Sequence, residues 1–314
     1  MEIGFDGRTV IVTGAGNGLG RAYALELARR GASVVVNDLG TSASGEGAST
    51  HASDSVVAEI VGGGGRAIAS YETVATDDGC CAIAASALDT FGRIDAVVHN
   101  AGILRNTMFE GMTDEQWFPV IETHLSAAFF LSRAVWPVMR DQGYGRLVFT
   151  SSASGAFGRT FGANYAAAKA GILGLCNALA LEGVEHGILA NAILPTGLTR
   201  LSASPRPGDA TADPEELYAA RRAMVPRFDP EWAVPIVTYL ASAACTRTHH
   251  YYSNSAGRYA LVFVAATMGW RPDAEVPPSV EDIAAHLDRI DDTGQFDVPI
   301  SAEEELKILR ARYG

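Results

Sequence analysis

Short, almost uninterrupted apolar runs recur along this chain, each followed by a longer stretch with helical spacing. RTVIVT (8–13), SVVVN (33–37), residues 67–70, DAVV (95–98), GRLVFT (145–150), ILANAIL (188–194) and YALVFV (259–264) share this character. A strand with one wet face alternates apolar and polar residues, whereas a strand covered on both faces is apolar throughout. Covered strands joined by helical crossovers predict one doubly wound parallel sheet, here of seven strands, in a Rossmann fold. In such a sheet ligands bind at the carboxyl ends of the strands.

The organisation follows from this pattern. With 314 residues, one large α/β domain over 1–270 with a C-terminal extension over 271–314 is expected. The extension should pack on its own domain or on a neighbouring subunit. Gly/Ser/Pro-rich stretches at 40–53 and 202–213 read as loops, and Asp213-Pro214 and Asp229-Pro230 as helix starts. Residues 198–230, after the sixth strand, can fold over a site as a substrate lid. A helix over 113–140 opens with a capping box at Thr113 and Gln116 and should bend at Pro119, which has no amide hydrogen.

The formal charge of −12 argues against nucleic acid or an anionic membrane as the main partner and leaves a small-molecule substrate. Cys80, Cys81, Cys176 and Cys245 lack metal-ligand spacing, and His249-His250 have no third ligand nearby, so no metal is expected. The first residues carry neither a basic nor an apolar leader, and the longest apolar run, 259–270, is too short to span a bilayer. A cytoplasmic location is the expectation.

Directly after the first strand stands Thr13-Gly14-Ala15-Gly16-Asn17-Gly18-Leu19-Gly20. Glycines between a strand and a helix permit a tight turn, and they let the backbone approach a pyrophosphate. The free amides and positive dipole end of the following helix then favour that anion. Asp38, at the end of the second strand, is placed to accept the ribose hydroxyls and to repel a 2′-phosphate. Asn17 and Leu39 stand where a phosphate-binding cation would be needed. The cofactor indicated is NAD.

Tyr165-Ala-Ala-Ala-Lys169 places a phenol and an ammonium on one helix face, in a chain with only two lysines. A phenol is a poor base at neutral pH unless a nearby cation favours its ionised form. Ser152, thirteen residues before Tyr165, can hydrogen-bond a substrate oxygen as charge develops there.

The TGxxxGxG turn, the His99-Asn100-Ala101-Gly102 run, Ser152 and Tyr-x3-Lys together resemble the short-chain dehydrogenase/reductases over residues 5–270. VVVNDLG, NAGILR, MTDEQW, GYGRLVFTSSASG and ANYAAAKAG, with the loop inserted after Asp38, resemble more narrowly the (3R)-hydroxyacyl-CoA dehydrogenase units of peroxisomal multifunctional enzymes. The resemblance implies an NAD-dependent exchange between a secondary alcohol and a ketone, with Ser152, Tyr165 and Lys169 as the catalytic centre. It implies cofactor contacts from Gly14, Asn17, Gly18, Leu19 and Gly20, and from Asp38, Glu72 and Val74. Asn100, Ala101 and Gly102, Tyr165 and Lys169, and Pro195, Thr196, Gly197 and Thr199 complete the set. His124 stands where most of the family has an asparagine of a proton relay, and it reads either as part of that relay or as a structural histidine. The family also implies a homodimer or homotetramer.

The substrate stays open between a 3-hydroxyacyl-CoA and a steroid, terpenoid or other lipophilic alcohol. A non-catalytic NAD-binding protein is the alternative outside enzymology. Arg200, Arg206, Arg221, Arg222 and Arg227 place cations in the lid segment, as a polyanionic CoA would require.

Overall fold

Eight strands form the central sheet: β1 (Thr9–Thr13), β2 (Ser33–Asn37), β3 (Arg66–Ser70), β4 (Ala96–His99), β5 (Gly145–Thr150), β6 (Ile188–Pro195), β7 (His250–Ser255) and β8 (Arg258–Val262). Their spatial order is β3-β2-β1-β4-β5-β6-β7-β8. The computed structural model describes residues 2–313 except 198, 200, 203, 205, 209–212, 225–226 and 273–275, and not the side chains of 214, 215, 221 and 224. The order reverses direction between β1 and β4, which opens a crevice at the carboxyl ends of those strands. Register is set by apolar pairs such as Val10↔Val34 and Val12↔Val36 between β1 and β2, and Ile11↔Val97 between β1 and β4.

The helices in chain order are α1 (Gly18–Arg29), α2 (His51–Gly62), α3 (Asp77–Phe91), α4 (Asp114–Ile121), α5 (Ala127–Gln142), α6 (Ala153–Phe157), α7 (Ala163–Gly183), α8 (Pro214–Met224) and α9 (Val234–Ala241). All residues of β1 and β2 are buried. One layer of the core packs Tyr23, Ala24 and Leu27 of α1, Val56 and Ile60 of α2 and Leu240 of α9 around Val10, Val12, Val34 and Val36. Among the described residues one helix, Ala163–His186, is long and apolar enough to cross a membrane; here it packs against β6.

Two expectations need correction. The sheet has eight strands, not seven, and it is not wholly parallel. The seventh parallel strand is β7, HYYSNS, which pairs with β6 through Ala192↔Tyr251 and Leu194↔Ser253. It departs from the apolar pattern: buried Tyr251 is accommodated because its hydroxyl donates to the Leu173 carbonyl at 3.1 Å and to Asn177. The 259–264 run belongs mostly to β8, the edge strand. Only Ala256 (φ 54°) and Gly257 (φ 78°) separate β7 from β8, and a two-residue turn with both φ positive joins antiparallel strands.

The 113–140 helix is likewise broken. The capping box at Thr113 and Gln116 is present, and Pro119 lies within α4. The axis widens into a π-helical turn at Glu122–Ser126 before α5 begins. A π turn interrupts the regular bonding ladder and re-aims a side chain, here that of His124.

Contacts divide the chain into two compact units, Met1–Leu261 and Val262–Gly314, a boundary earlier than position 270. In the second unit β9 (Ala266–Thr267) pairs antiparallel with β10 (Phe296–Asp297). It also holds α10 (Val280–Ala285), α11 (Leu287–Ile290) and α12 (Ala302–Tyr313). Trp270 stacks on His286 with ring centres 3.9 Å apart, and Arg312 pairs with Asp297 at 2.8 Å.

Candidate active site

The turn after β1 is built for glycine. Gly14 (φ 63°) and Gly18 (φ 53°) adopt the left-handed backbone that other residues avoid. A Cβ on Gly20 would lie 2.1 Å from the Gly14 carbonyl oxygen, so α1 can start against the turn only without a side chain there. Asn17 caps α1 with extended backbone, leaving the first amides of the helix free for an anion. Asn100 braces the turn from β4. Its amide donates to Thr13 Oγ1 at 3.0 Å, and its Nδ2 donates to the carbonyls of Thr13 and Gly14, both at 3.2 Å.

Asp38 is held rigidly at the end of β2. Its Oδ2 accepts from the Gly16 amide at 2.8 Å and its Oδ1 from the Gly40 amide at 2.7 Å. Each carboxylate oxygen keeps lone-pair capacity for a ribose hydroxyl. Arg21, on the first turn of α1, forms an ion pair with Glu59. The turn, the bare helix start and the fixed carboxylate therefore fit an adenine dinucleotide.

The residues singled out in the sequence converge on one cavity of about 750 Å³. Gly14, Asn17, Gly18, Leu19 and Asp38 line it, with Glu72 and Val74 beside them. Asn100, Ala101 and Gly102 form one wall, and Pro195, Thr196, Gly197 and Thr199 form another. Ser152, Tyr165, Lys169 and His124 line the same space. Gly20 does not; its role is to let α1 close on the turn. Leu198, Arg200 and the Arg221 side chain lie outside the described residues. Arg222 pairs with Asp229 at 3.1 Å and Arg227 packs over the Trp232 ring, while Arg206 lines the cavity.

Ser152 caps α6, its Oγ accepting from the Ser154 amide at 3.1 Å. Its neighbour Ser151 is spent on structure, with its hydroxyl donating to the Lys169 carbonyl at 2.7 Å. Tyr165 stands on the first turn of α7. Buried Asn164 fixes that turn: its Oδ1 accepts from the Tyr165 amide at 2.7 Å, and its Nδ2 donates to the carbonyls of Arg105 at 3.1 Å and Gln116 at 2.7 Å.

Lys169 donates to the Thr150 carbonyl, and its Nζ lies 5.6 Å from the centre of the Tyr165 ring. Burial pushes the Lys169 ammonium down to about 7, near the point where it gives up its proton at neutral pH. Burial also pushes the Tyr165 phenol up, against the hydrogen bond with Ser152 and the positive charge of Arg159, which pull it down. Spacing in the sequence points to Lys169 as the group that lowers the phenol. In the folded chain Ser152 and Arg159 also pull the phenol down.

His124 is buried, with its ring edge-on to Tyr165 at 5.2 Å between centres. Its Nε2 lies 2.8 Å from the Ile103 carbonyl oxygen and 3.1 Å from the Ile103 amide nitrogen. A Cβ on Gly102 would come within 2.1 Å of the ring, so that glycine makes room for the histidine. Burial holds His124 in its neutral form, well below the usual histidine range.

Four contributors have no local signature: Arg105, Asn106, Arg159 and Asn164. Arg105 ties the loop after Asp38 to the site by donating to the Ser44 carbonyl at 2.9 Å, and the Leu104 amide donates to the Ala43 carbonyl, also at 2.9 Å. Asn106 Oδ1 accepts from Arg159 Nη2 at 2.8 Å. These partners come from distant parts of the chain, and no spacing rule links them.

Comparison with known proteins shows the family. The family model of short chain dehydrogenases matches residues 8–206. A short-chain type dehydrogenase/reductase of Mycobacterium tuberculosis is 44% identical over 289 residues, covering 92% of this chain and 96% of that protein. A hydroxyacyl-CoA dehydrogenase of the same organism is 36% identical over 251 residues, covering 77% of this chain and 75% of that one. The solved structure of full-length peroxisomal multifunctional enzyme type 2 from Drosophila melanogaster superposes with a TM-score of 0.77 at 31% identity. That match takes in 99% of this chain and 50% of the fly enzyme, so this chain spans half the length of that relative. The chain belongs to the short-chain dehydrogenase/reductase family of oxidoreductases.

Proposed function

We propose that this protein interconverts a secondary alcohol and a ketone with NAD(H), and that its substrate is a 3-hydroxyacyl-CoA. The observation that carries the reading is the single cavity that has the glycine turn and Asp38 among its walls together with Ser152, Tyr165 and Lys169. The substrate class draws support from the hydroxyacyl-CoA dehydrogenase relative and from two further arginines lining the cavity, Arg105 and Arg206, which suit a polyanionic substrate.

The turn from Gly14 to Leu19 would hold the pyrophosphate, Asp38 the adenosine ribose, and Glu72 and Val74 the adenine. Lys169 would hold the nicotinamide ribose, with Pro195–Thr199 beside the ring. When bound, the nicotinamide supplies the acceptor or donor of the hydride. Ser152 hydrogen-bonds the substrate oxygen and orients it towards Tyr165. The Tyr165 oxygen takes the hydroxyl proton during oxidation and returns it during reduction. His124 holds the Asn100–Ile103 wall through the backbone of Ile103 and keeps the ring of Tyr165 in place.

A panel of 3-hydroxyacyl-CoA thioesters, steroids and simple secondary alcohols, followed by NADH absorbance, tests the reading. Thioester turnover should dominate, and Tyr165→Phe should lower it by roughly 10²–10⁴-fold while NADH binding persists. Oxidation of free lipophilic alcohols with no turnover of any acyl-CoA would reject the substrate assignment.

A further inference from the structure

Arg159 is the cation of the site that the sequence pattern leaves unexplained. Its guanidinium carbon lies 5.6 Å from the centre of the Tyr165 ring. Its placement is built, not incidental. Nη2 donates to Asn106 Oδ1 at 2.8 Å, and the adjoining Phe161 carbonyl accepts from the Thr107 amide at 3.0 Å. The 158–162 segment is thus stitched twice to the 106–107 stretch. Phe161 holds a φ of 62°, a left-handed conformation that a bulky residue adopts only where its surroundings impose it. A Cβ on Gly162 would come within 2.8 Å of Arg159 Nε, so the bare glycine leaves the space that the guanidinium fills.

We propose that Arg159 receives a second substrate oxygen, a carbonyl oxygen two carbons from the carbinol carbon, and so selects 3-hydroxyacyl and 3-oxoacyl compounds over simple secondary alcohols. The proposal rests on the dehydrogenase reading above, because it takes the carbinol oxygen to lie on Tyr165 and Ser152. Two oxygens in this 1,3 relation are about 3 to 5 Å apart by bond geometry. A group beside the tyrosine is therefore at the correct reach for the second. A guanidinium supplies paired N–H donors to an sp² oxygen, and an oxygen bearing partial negative charge strengthens the bond. The CoA phosphates, a whole pantetheine arm away, are beyond the reach of the same side chain. The acceptor is a thioester carbonyl or, with the same chemistry, a free carboxylate.

Arg159 also acts on the tyrosine itself. The groups facing the Tyr165 ring are Lys169 on α7, His124 on the π turn, Ser152 at the start of α6, and Arg159. Burial keeps His124 neutral. The positive charge of Arg159 pulls the Tyr165 phenol down against its burial.

The test compares wild type, Arg159→Gln and Arg159→Lys on three alcohols with NAD: the N-acetylcysteamine thioester of 3-hydroxybutyrate, which has no phosphate; free 3-hydroxybutyrate; and 2-pentanol. In Arg159→Gln the kcat/KM ratio of thioester to 2-pentanol should fall at least ~30-fold, chiefly through KM, and Arg159→Lys should restore part of it. The acid limb of kcat/KM for 2-pentanol should move to higher pH in Arg159→Gln and return in Arg159→Lys. A thioester ratio within about threefold of wild type, or equal losses on all three alcohols, overturns the proposal. A loss confined to free 3-hydroxybutyrate overturns the thioester assignment and makes Arg159 a carboxylate receptor. The Kd of the acetoacetyl thioester with NAD present is read by titration without turnover. If wild type oxidises none of the alcohols, the dehydrogenase reading fails; Arg159 is then judged by whether Arg159→Gln weakens that binding at least ~10-fold.

Discussion

The Nε2 atom of His124 lies 2.8 Å from the carbonyl oxygen of Ile103, so this ring is fastened to the wall that carries Asn100 and Gly102. Removing it leaves a buried backbone group unpaired and a void against Tyr165. His124→Ala should cost about 2–3 kcal/mol in urea unfolding and lower kcat, while His124→Asn, whose amide can also donate to Ile103, should recover part of both. A drop in kcat for His124→Ala with no loss of stability would instead mark His124 as a proton relay.

A pH effect on stability follows from the two buried histidines. Burial pushes His99 down to about 4 and His124 well below the ordinary range. In the unfolded chain each titrates near 6.5. Below that pH the unfolded chain binds protons that the native protein refuses, so stability falls as pH drops from about 6.5 towards 4. The slope should approach ~1.4 kcal/mol per pH unit for each histidine. Urea midpoints measured across this window check it, and a flat profile would contradict the buried neutral state.

Cofactor choice should be decided by Asp38. Its two oxygens are pinned by the Gly16 and Gly40 amides, so the carboxylate cannot swing away from a 2′-phosphate. NAD should exceed NADP by at least ~100-fold in kcat/KM, and Asp38→Ala should narrow that gap. Equal use of both cofactors by the wild-type protein would refute the ribose assignment.

Gly20→Ala should damage the dinucleotide site although Gly20 itself does not line the cavity. The added methyl would meet the Gly14 carbonyl at 2.1 Å, forcing α1 away from the turn. NAD affinity should fall at least ~10-fold, read by titration of intrinsic fluorescence. Unchanged affinity would show that the turn can relax.

Assembly should use the faces of α4, α5 and α7. Phe118, Phe129 and Leu181 are exposed there, and Gly174 has open space where a Cβ would project, permitting close approach of a second helix. A dimer or tetramer is expected by light scattering at micromolar concentration, and Leu181→Lys should shift it towards monomer. A monomeric wild type would rule the interface out.

The features legible in the chain were those whose cause is local. Continuous burial makes the middles of β1, β2, β4 and β5 apolar on both faces, and a turn that must be tight makes Gly14 and Gly18 glycine. The four-residue spacing of Tyr165 and Lys169 follows from the helix period alone. The misread elements owe their state to remote partners. HYYSNS is a half-buried strand whose Tyr251 hydroxyl is met by Leu173 and Asn177, and the sequence shows the polarity without those partners. Residues 258–262 lie on the sheet edge because Ala256 and Gly257 turn the chain back. Arg159 enters the site through Asn106, 53 residues away, and Asn164 through Arg105 and Gln116. A side chain's neighbours across such separations depend on how the sheet and its loops close in three dimensions. Residue type and spacing along the chain carry no record of that closure.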